Sequence, residues 1–132
     1  MKKELLLEKA FEAMENAYAP YSNYHVGACV ACKDGNMFIG ANIENASFGL
    51  TNCAERSAIF AAYSCGYRKE EIEAIAIVSD GDRIAAPCGA CRQVLSELIE
   101  KDTPIYLSNH HEELTKTIAE LLPMSFESSD VL

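Results

Sequence analysis

Short apolar runs alternate with amphipathic segments along this chain, and the alternation restricts the folds that the chain can adopt. The apolar repeats predict helices over residues 4–18, 53–65, 91–99 and 114–122, and strands over residues 25–32, 37–41, 74–78 and 105–107. The turn residues Lys33-Asp34-Gly35-Asn36 are expected to join the first two strands as a hairpin. Because helices and strands alternate, we expect an α/β fold in which a sheet lies between helical layers.

The size and charge of the chain exclude several classes of function. Its 132 residues are enough for one domain, which we place over residues 1–132. Eleven Lys and Arg against twenty Asp and Glu give a net charge of -9, which argues against binding to nucleic acid or to an anionic membrane. The apolar stretch Leu5-Leu6-Leu7 ends at Glu8, too early for a secretory signal or a membrane span. We therefore expect a cytoplasmic protein whose thiols stay free or bind metal.

Six cysteines are too few for a disulfide scaffold in a chain of this length. Cys29 and Cys32 form a CxxC pair, but they lie in a predicted strand, where residues three apart point to opposite faces. We interpret both as small buried residues of the core. Cys65 has no motif around it, and we expect it to be buried as well.

A second CxxC pair, Cys88 and Cys91, follows Pro87, a residue that suits the first turn of a helix. Residues three apart share one face of a helix, so both thiols can face one metal ion. Cys53, at the start of another predicted helix, is the candidate for a third ligand. Three thiolates with an open fourth position are typical of a catalytic zinc site. The residues alone leave two alternatives open, a redox CxxC motif and a structural zinc site with a fourth protein ligand.

Three thiolates more than neutralise a zinc ion, so such a site needs compensating positive charge. The amino-terminal ends of the two predicted helices supply partial positive charge. Arg56 lies near Cys53 in the sequence and can donate hydrogen bonds to its thiolate. Arg92, beside Cys91, is an alternative for the same role.

Several motifs together resemble those of one enzyme family. Cys53-Ala54-Glu55 and Pro87-Cys88-Gly89-Ala90-Cys91-Arg92-Gln93 resemble the motifs of the zinc deaminases. Four further segments are similar to the small, homotetrameric cytidine deaminases: Tyr18-Ala19-Pro20-Tyr21-Ser22, Val26-Gly27-Ala28, Asn42-Ile43-Glu44-Asn45-Ala46-Ser47 and Leu121-Leu122-Pro123. The resemblance implies a three-layer α/β/α sandwich with a mixed five-stranded sheet. It also implies a homotetramer with one zinc ion per subunit, held by Cys53, Cys88 and Cys91.

The resemblance implies a reaction as well. Cytidine and 2′-deoxycytidine would be deaminated hydrolytically to uridine and 2′-deoxyuridine with release of ammonia, a step of pyrimidine salvage. Zinc-bound hydroxide would attack C4, and Glu55, which is not a ligand, would carry protons to N3 and to the departing ammonia. An alternative is a deaminase of a related aminopyrimidine nucleoside such as blasticidin S.

The resemblance assigns substrate contacts to polar groups outside the cysteine motifs. Asn42 and Glu44 would bind the ribose 3′-hydroxyl. The backbone N–H of Ala54 would bind the pyrimidine O2, and a backbone carbonyl near Ala86 would accept a hydrogen bond from the 4-amino group. A carboxylate at position 44 would repel a phosphate, so these residues favour a neutral nucleoside.

Two aromatic residues complete the implied binding site. Tyr24 stands where the family usually has Phe, and its ring would pack on the pyrimidine. Phe126 would reach an active site that belongs to a neighbouring subunit. The family's tail usually continues from this aromatic residue into Gly-Pro, whereas here Glu127-Ser128-Ser129 follow.

Overall fold

In a computed structural model that describes residues 2–131, the chain forms five strands and four α-helices around one mixed sheet. In chain order these elements are α1 (Lys3–Met14), β1 (Val26–Cys32), β2 (Met37–Ala41), α2 (Ala54–Ser64), β3 (Ile72–Ser79), α3 (Gly89–Leu98), β4 (Ile105–Ser108), β5 (Glu113–Lys116) and α4 (Ile118–Leu121). The longest helix, α1, has 12 residues. Within residues 2–131 no helix is long and apolar enough to cross a membrane.

The strands lie side by side in the order β2-β1-β3-β4-β5. β1 pairs antiparallel with both β2 and β3, and β5 pairs antiparallel with β4. β3 and β4 are parallel, an arrangement that needs a crossover connection, and α3 provides it. The prediction of a mixed five-stranded sheet is therefore confirmed.

Alternate side chains of β1 point into two separate hydrophobic cores, one on each face of the sheet. Val30 and Cys32 lie in a core with Ile59 of α2 and Leu95 of α3. Cys29 lies in the other core, which α1 covers. Both β1 cysteines are fully buried, as predicted. Helices thus cover both faces of the sheet, in the three layers that were expected.

The first helix ends earlier than its apolar repeat predicts. α1 ends at Met14, whereas the prediction extended to residue 18. Tyr18 instead donates its N–H to the Asn42 carbonyl at 2.9 Å, and the Glu44 N–H donates to the Tyr18 carbonyl at 2.8 Å. These hydrogen bonds hold the segment after α1 in an extended conformation beside the loop that follows β2.

The prediction of a helix over residues 114–122 is wrong in its first half. Glu113–Lys116 form β5, and α4 begins only at Ile118. Thr117 starts this helix through a capping box, because its hydroxyl accepts from the Glu120 N–H while the Glu120 carboxylate accepts from the Thr117 N–H. The apolar spacing across this boundary imitates a helical repeat.

The expectation that Cys65 is buried is also wrong. Cys65 is exposed at the carboxyl-terminal end of α2, where its N–H donates to the carbonyls of Ala61 and Ala62. Gly66 follows with a φ of 97°, a conformation that glycine adopts without strain and that turns the chain away from the helix. α2 therefore ends at Ser64, and its C-cap residue, Cys65, is exposed to solvent.

Gly40 allows α2 to approach β2 closely. A Cβ atom at this position would come within 2.6 Å of both the Ala54 carbonyl oxygen and the Ala58 nitrogen. The first turn of α2 is consequently fixed against an edge strand, and Cys53 is the residue that caps this turn. Packing between helix and sheet thus sets the position of the first cysteine.

Candidate metal centre and active site

Three cysteine thiols converge where α2 and α3 begin. Cys53 is the N-cap residue of α2, Cys88 is the N-cap residue of α3, and Cys91 lies in the first turn of α3. Their Sγ atoms all lie within 4.8 Å of one another. The Cys53 and Cys88 sulfurs are 3.9 Å apart, and the Cys88 and Cys91 sulfurs are 3.4 Å apart. The structure therefore brings together the three residues that the sequence analysis selected as ligands.

This cluster fits a zinc ion. Tetrahedral zinc–thiolate bonds of about 2.3 Å place the sulfur atoms about 3.8 Å apart, close to the separations observed. All three cysteines are free thiols. Among residues 2–131 no fourth His, Cys, Asp or Glu joins the group. Three protein ligands are typical of catalytic zinc sites, whereas structural sites are closed by a fourth.

Hydrogen bonds and positive charge stabilise a thiolate in the cluster. Arg56 Nη2 donates to Cys53 Sγ at 3.3 Å, and the Cys91 N–H donates to Cys88 Sγ at 3.5 Å. A hydrogen bond from the Cys91 thiol, together with the Arg56 guanidinium, lowers the pKa of Cys53 to about 5. The same hydrogen bond raises the pKa of Cys91. Two helix amino termini add partial positive charge at the sulfurs.

Arg92 is engaged elsewhere. Its Nε donates to the Pro87 carbonyl and its Nη1 donates to the Leu121 carbonyl, both at 2.7 Å. These bonds tie the start of α3 to the end of α4. Of the two arginines considered for charge compensation, the structure places Arg56 and not Arg92 on a cysteine sulfur.

The carboxyl group of Glu55 is buried beside the cluster. The residue lies in the first turn of α2 and is only 5% exposed. Burial raises the pKa of Glu55 to about 7, and repulsion from the neighbouring Cys53 thiolate acts in the same direction. A carboxyl group with a pKa near neutrality can both accept and release a proton at physiological pH.

An open cleft with a volume of about 370 Å³ gives access to the cluster. This volume lies within the range of pockets that hold small molecules. The cleft is lined by residues from β1, the loops around it and the starts of both helices: Tyr24, Val26, Asn42, Thr51, Asn52, Cys53, Ala54, Glu55, Ala85, Ala86 and Cys88. The structure thus places most of the predicted substrate contacts around one cavity.

The sequence matches the family model for the cytidine and deoxycytidylate deaminase zinc-binding region over residues 1–107. The chain belongs to this family. A cytidine deaminase of Halalkalibacterium halodurans is 51% identical over 132 residues, which cover 99% of this chain and 98% of that protein. A cytidine deaminase of Sporosarcina psychrophila is 43% identical, with 97% and 93% of the two chains covered.

Solved structures of the family have the same fold. The crystal structure of cytidine deaminase from Burkholderia pseudomallei superposes with a TM-score of 0.91 at 46% identity, covering 96% of this chain and 100% of that chain. Cytidine deaminase from Mycobacterium tuberculosis gives a TM-score of 0.80 at 35% identity, covering 96% and 98%. Because these relatives are cytidine deaminases by name, the antibiotic nucleoside alternative is not favoured.

Within this deaminase fold, Asn42 joins the end of β2 to the segment that enters β1. The side chain is buried; its Oδ1 accepts from the Val26 N–H at 2.9 Å, and its Nδ2 donates to the Tyr24 carbonyl at 2.8 Å. Asn42 therefore holds the backbone of the residue whose ring lines the cleft.

Glu44 lies beside the cleft and not in its wall. Its carboxylate accepts from the N–H groups of Tyr21 and Ser22 at 3.0 and 3.1 Å, and it also accepts from the Ser22 hydroxyl. These bonds, led by that of the Ser22 hydroxyl, lower the pKa of Glu44. It lines an adjacent depression that shares Thr51 with the cleft.

Phe126 is not part of the cleft of its own chain. Its carbonyl accepts from Gln93 Nε2 at 2.8 Å, which fixes the tail against α3. The residue lines a separate depression with Glu97 and Lys101, and it is 59% exposed. The contact of Phe126 with a neighbouring subunit stays a prediction.

Four residues of the cleft wall were not predicted to line it, namely Val26, Thr51, Asn52 and Ala85. Each lies within two positions of a predicted site residue, and this proximity is the signal that could have found them. The pairing of His25 with Asp80 was not predicted either; their Nδ1 and Oδ2 atoms are 2.6 Å apart although the residues are separated by 55 positions. No local pattern indicates that contact.

Proposed function

We propose that this chain is a zinc-dependent enzyme that deaminates cytidine and 2′-deoxycytidine to uridine and 2′-deoxyuridine and releases ammonia. The observation that carries the proposal is the buried Glu55 carboxyl beside the thiols of Cys53, Cys88 and Cys91, in an open cleft. The relatives that are cytidine deaminases by name support the choice of substrate. In this proposal residues 1–132 form one domain, which acts in pyrimidine salvage.

The three cysteines would hold one zinc ion per chain. Zinc, when bound, supplies Lewis-acid activation of water at neutral pH. Arg56 would offset the negative charge of the thiolates through its hydrogen bond to Cys53. The N–H groups at the start of α2 and α3 would act in the same way.

Glu55 would carry both protons of the reaction. Water adds at C4 of the base, so a C–O bond forms there and the bond from C4 to the amino nitrogen breaks. Glu55 moves one proton of the water to N3 and the other to the departing amino group, which leaves as ammonia. The product keeps a carbonyl at C4 and a proton at N3. A pKa of about 7 permits Glu55 to take up and release these protons in turn.

The residues around the cleft would hold a neutral nucleoside. Tyr24 would pack on the pyrimidine, the Ala54 N–H would bind O2, and the Ala86 carbonyl would accept from the 4-amino group. Asn42 and Glu44 would bind the ribose 3′-hydroxyl. The net charge of -9 and the half-buried carboxylate of Glu44 disfavour a substrate that carries a phosphate.

We further propose a cytoplasmic homotetramer in which Phe126 of one copy completes the site of another. Several large apolar side chains support an interface, because Phe48 is 88% exposed, Leu50 71% and Met124 97%. Co-expression of a Phe126→Ala chain with a Glu55→Gln chain tests the sharing of sites. Activity above the sum of the two separate variants is expected, since a mixed site can combine an intact Glu55 with an intact Phe126. A mixture with no gain would contradict a shared site.

The reaction itself is tested with the purified, zinc-loaded chain. Cytidine and deoxycytidine should each be lost, as followed by ultraviolet absorbance, with one ammonia released per uridine formed. Activity should disappear after chelation and return with zinc, and cytidine monophosphate should be a poor substrate. The proposal is overturned if the protein converts neither cytidine nor deoxycytidine. Conversion of blasticidin S alone would assign the alternative activity.

A further inference from the structure

The aromatic wall of the cleft rests on the loop that follows β3. Tyr24 lines the cleft, and its ring lies directly against Gly81 on the other side. A Cβ atom at position 81 would come within 2.8 Å of Tyr24 Cε1, closer than side chains tolerate. Any residue larger than glycine at this position would therefore push the ring away from its present place.

The neighbouring residue, Asp80, holds the backbone next to Tyr24. The His25 N–H donates to Asp80 Oδ1 at 3.0 Å, His25 Nδ1 lies 2.6 Å from Asp80 Oδ2, and the Asp80 N–H donates to the His25 carbonyl at 3.2 Å. Burial alone would raise the pKa of Asp80, but the hydrogen bonds from His25 outweigh that effect and lower it. The three contacts clamp the loop to the residue that follows Tyr24.

The loop is itself anchored to the sheet. The Gly81 carbonyl accepts from Asn109 Nδ2 at 3.1 Å, and Asn109 is buried directly after β4. On the other side, the Tyr24 N–H donates to Ser22 Oγ at 3.0 Å. The Tyr24 ring thus packs against the anchored loop at Gly81, while the Tyr24 backbone is held by its hydrogen bond to Ser22.

We propose that Asp80 and Gly81 are positioning residues, which fix the Tyr24 ring as the surface against which the pyrimidine is held. The inference rests on the proposed function, because it assigns the ring a bound base. Neither residue belongs to the cysteine cluster, and neither lines the cleft in which Glu55 and the thiols of Cys53 and Cys88 lie. Asp80 and Gly81 therefore affect binding of the nucleoside and leave the proton transfers unchanged.

Two variants perturb this support in independent ways. Asp80→Ala removes the acceptor for His25, and Gly81→Ala leaves every hydrogen bond in place but displaces the ring. Because stacking on an aromatic side chain contributes substantially to binding a base, each variant should raise KM for cytidine about 5- to 20-fold. kcat should stay within about twofold of wild type, because neither variant changes Glu55 or the three cysteines, which act on the reacting atoms in the proposed function. The Kd of uridine, measured by calorimetry, should rise in parallel, with zinc content unchanged.

Asp34→Ala is the matched control. Asp34 is also an aspartate that accepts from a backbone N–H and from a side chain, since it bonds to Asn36 at 3.0 Å and to the Tyr67 hydroxyl at 2.6 Å. It lies in the turn between β1 and β2, outside the cleft lining. This variant should lower the midpoint of thermal unfolding without changing KM.

A second test combines the variants with the loss of the ring. In a Tyr24→Ala background, Asp80→Ala and Gly81→Ala should cause no further rise in KM, because the ring that they position is absent.

The outcomes separate the two proposals. Wild-type protein that does not deaminate cytidine overturns the proposed function. Active wild type combined with unchanged KM and uridine Kd in Gly81→Ala overturns the positioning role, even where Asp80→Ala fails to fold. The positioning role is also contradicted if Asp80→Ala and Gly81→Ala raise KM as much in the Tyr24→Ala background as in the wild-type background. A rise in KM of the same size in Asp34→Ala would contradict it as well.

Discussion

Replacing Glu55 by Gln should have opposite effects on activity and on stability. The carboxyl is buried beside the cysteine cluster, and an amide of the same shape cannot carry protons. Because general acid–base catalysis contributes about 10²- to 10⁴-fold, turnover of the zinc-loaded variant should fall by at least about 100-fold. Zinc content should remain that of wild type, since Glu55 is not one of the clustered ligands.

The effect on stability follows from the pKa of the buried carboxyl. A rise from 4.5 to about 7 on folding corresponds to about 3 kcal/mol of lost stability once the group is ionised. The folded state binds this proton more tightly than the unfolded state. The loss of stability is therefore absent when the pH is below the pKa of the unfolded state, and it is complete when the pH is above the pKa of the folded state. Gln is neutral at every pH. The metal-free variant should therefore be more stable than metal-free wild type by about 1 to 3 kcal/mol at pH 8, and equally stable near pH 4.

The assay is urea unfolding of both proteins after chelation, at the two pH values, beside turnover of the zinc-loaded forms. Glu97→Gln is the control, because Glu97 is an exposed glutamate on α3 whose replacement should change neither quantity. Near-normal turnover of Glu55→Gln would refute the proton-carrying role. A variant that is less stable than wild type at pH 8 would refute the argument from burial.

Three further predictions concern other parts of the molecule. Arg56→Ala should weaken zinc binding about 10- to 100-fold in a competition assay with a chelator, because it removes the hydrogen bond to Cys53, and unchanged affinity would contradict the compensation argument. Cys65 should react with a thiol reagent in the zinc-loaded protein, whereas the buried Cys29, whose pKa burial raises to about 11, should react only after unfolding. Asp34→Asn should lower the thermal midpoint more at pH 7 than at pH 3. The hydrogen bond from the Tyr67 hydroxyl, followed by those from Asn36, lowers the pKa of Asp34 below its ordinary value of 3.8, so the stabilising contribution is complete above pH 3.8 and is lost as the pH falls through the lowered pKa. An equal loss at both pH values would refute this reasoning.

The parts of the fold and site that the sequence predicts are those with a strong local signal. The hairpin partner at Met37–Ala41 was predicted with the bounds that the structure shows, because turn residues precede an apolar run. The buried strand β3 is two residues longer at its start and one at its end than its apolar run. The structure brings the sulfur atoms of Cys53, Cys88 and Cys91 together, and this convergence is predictable because helix starts and CxxC spacing are local features.

The parts that the sequence does not predict depend on distant contacts. β5 is mostly exposed and has an apolar spacing that suits a helix, and it is a strand because β4 offers it a free edge. Glu44 is found from its motif, but its hydrogen bonds to the segment before β1 are not. The contact of Gly81 with Tyr24 joins residues that no periodicity relates. Such contacts are set by the packing of whole elements.

The central claim is that Cys53, Cys88 and Cys91 hold a zinc ion whose fourth position is open to water and substrate. X-ray absorption at the zinc edge of the purified protein tests it directly. The predicted result is three sulfur neighbours at about 2.3 Å and one oxygen neighbour, which changes when a nucleoside analogue binds. Four sulfur neighbours, or a histidine nitrogen in the fourth position, would show a closed structural site and contradict the account.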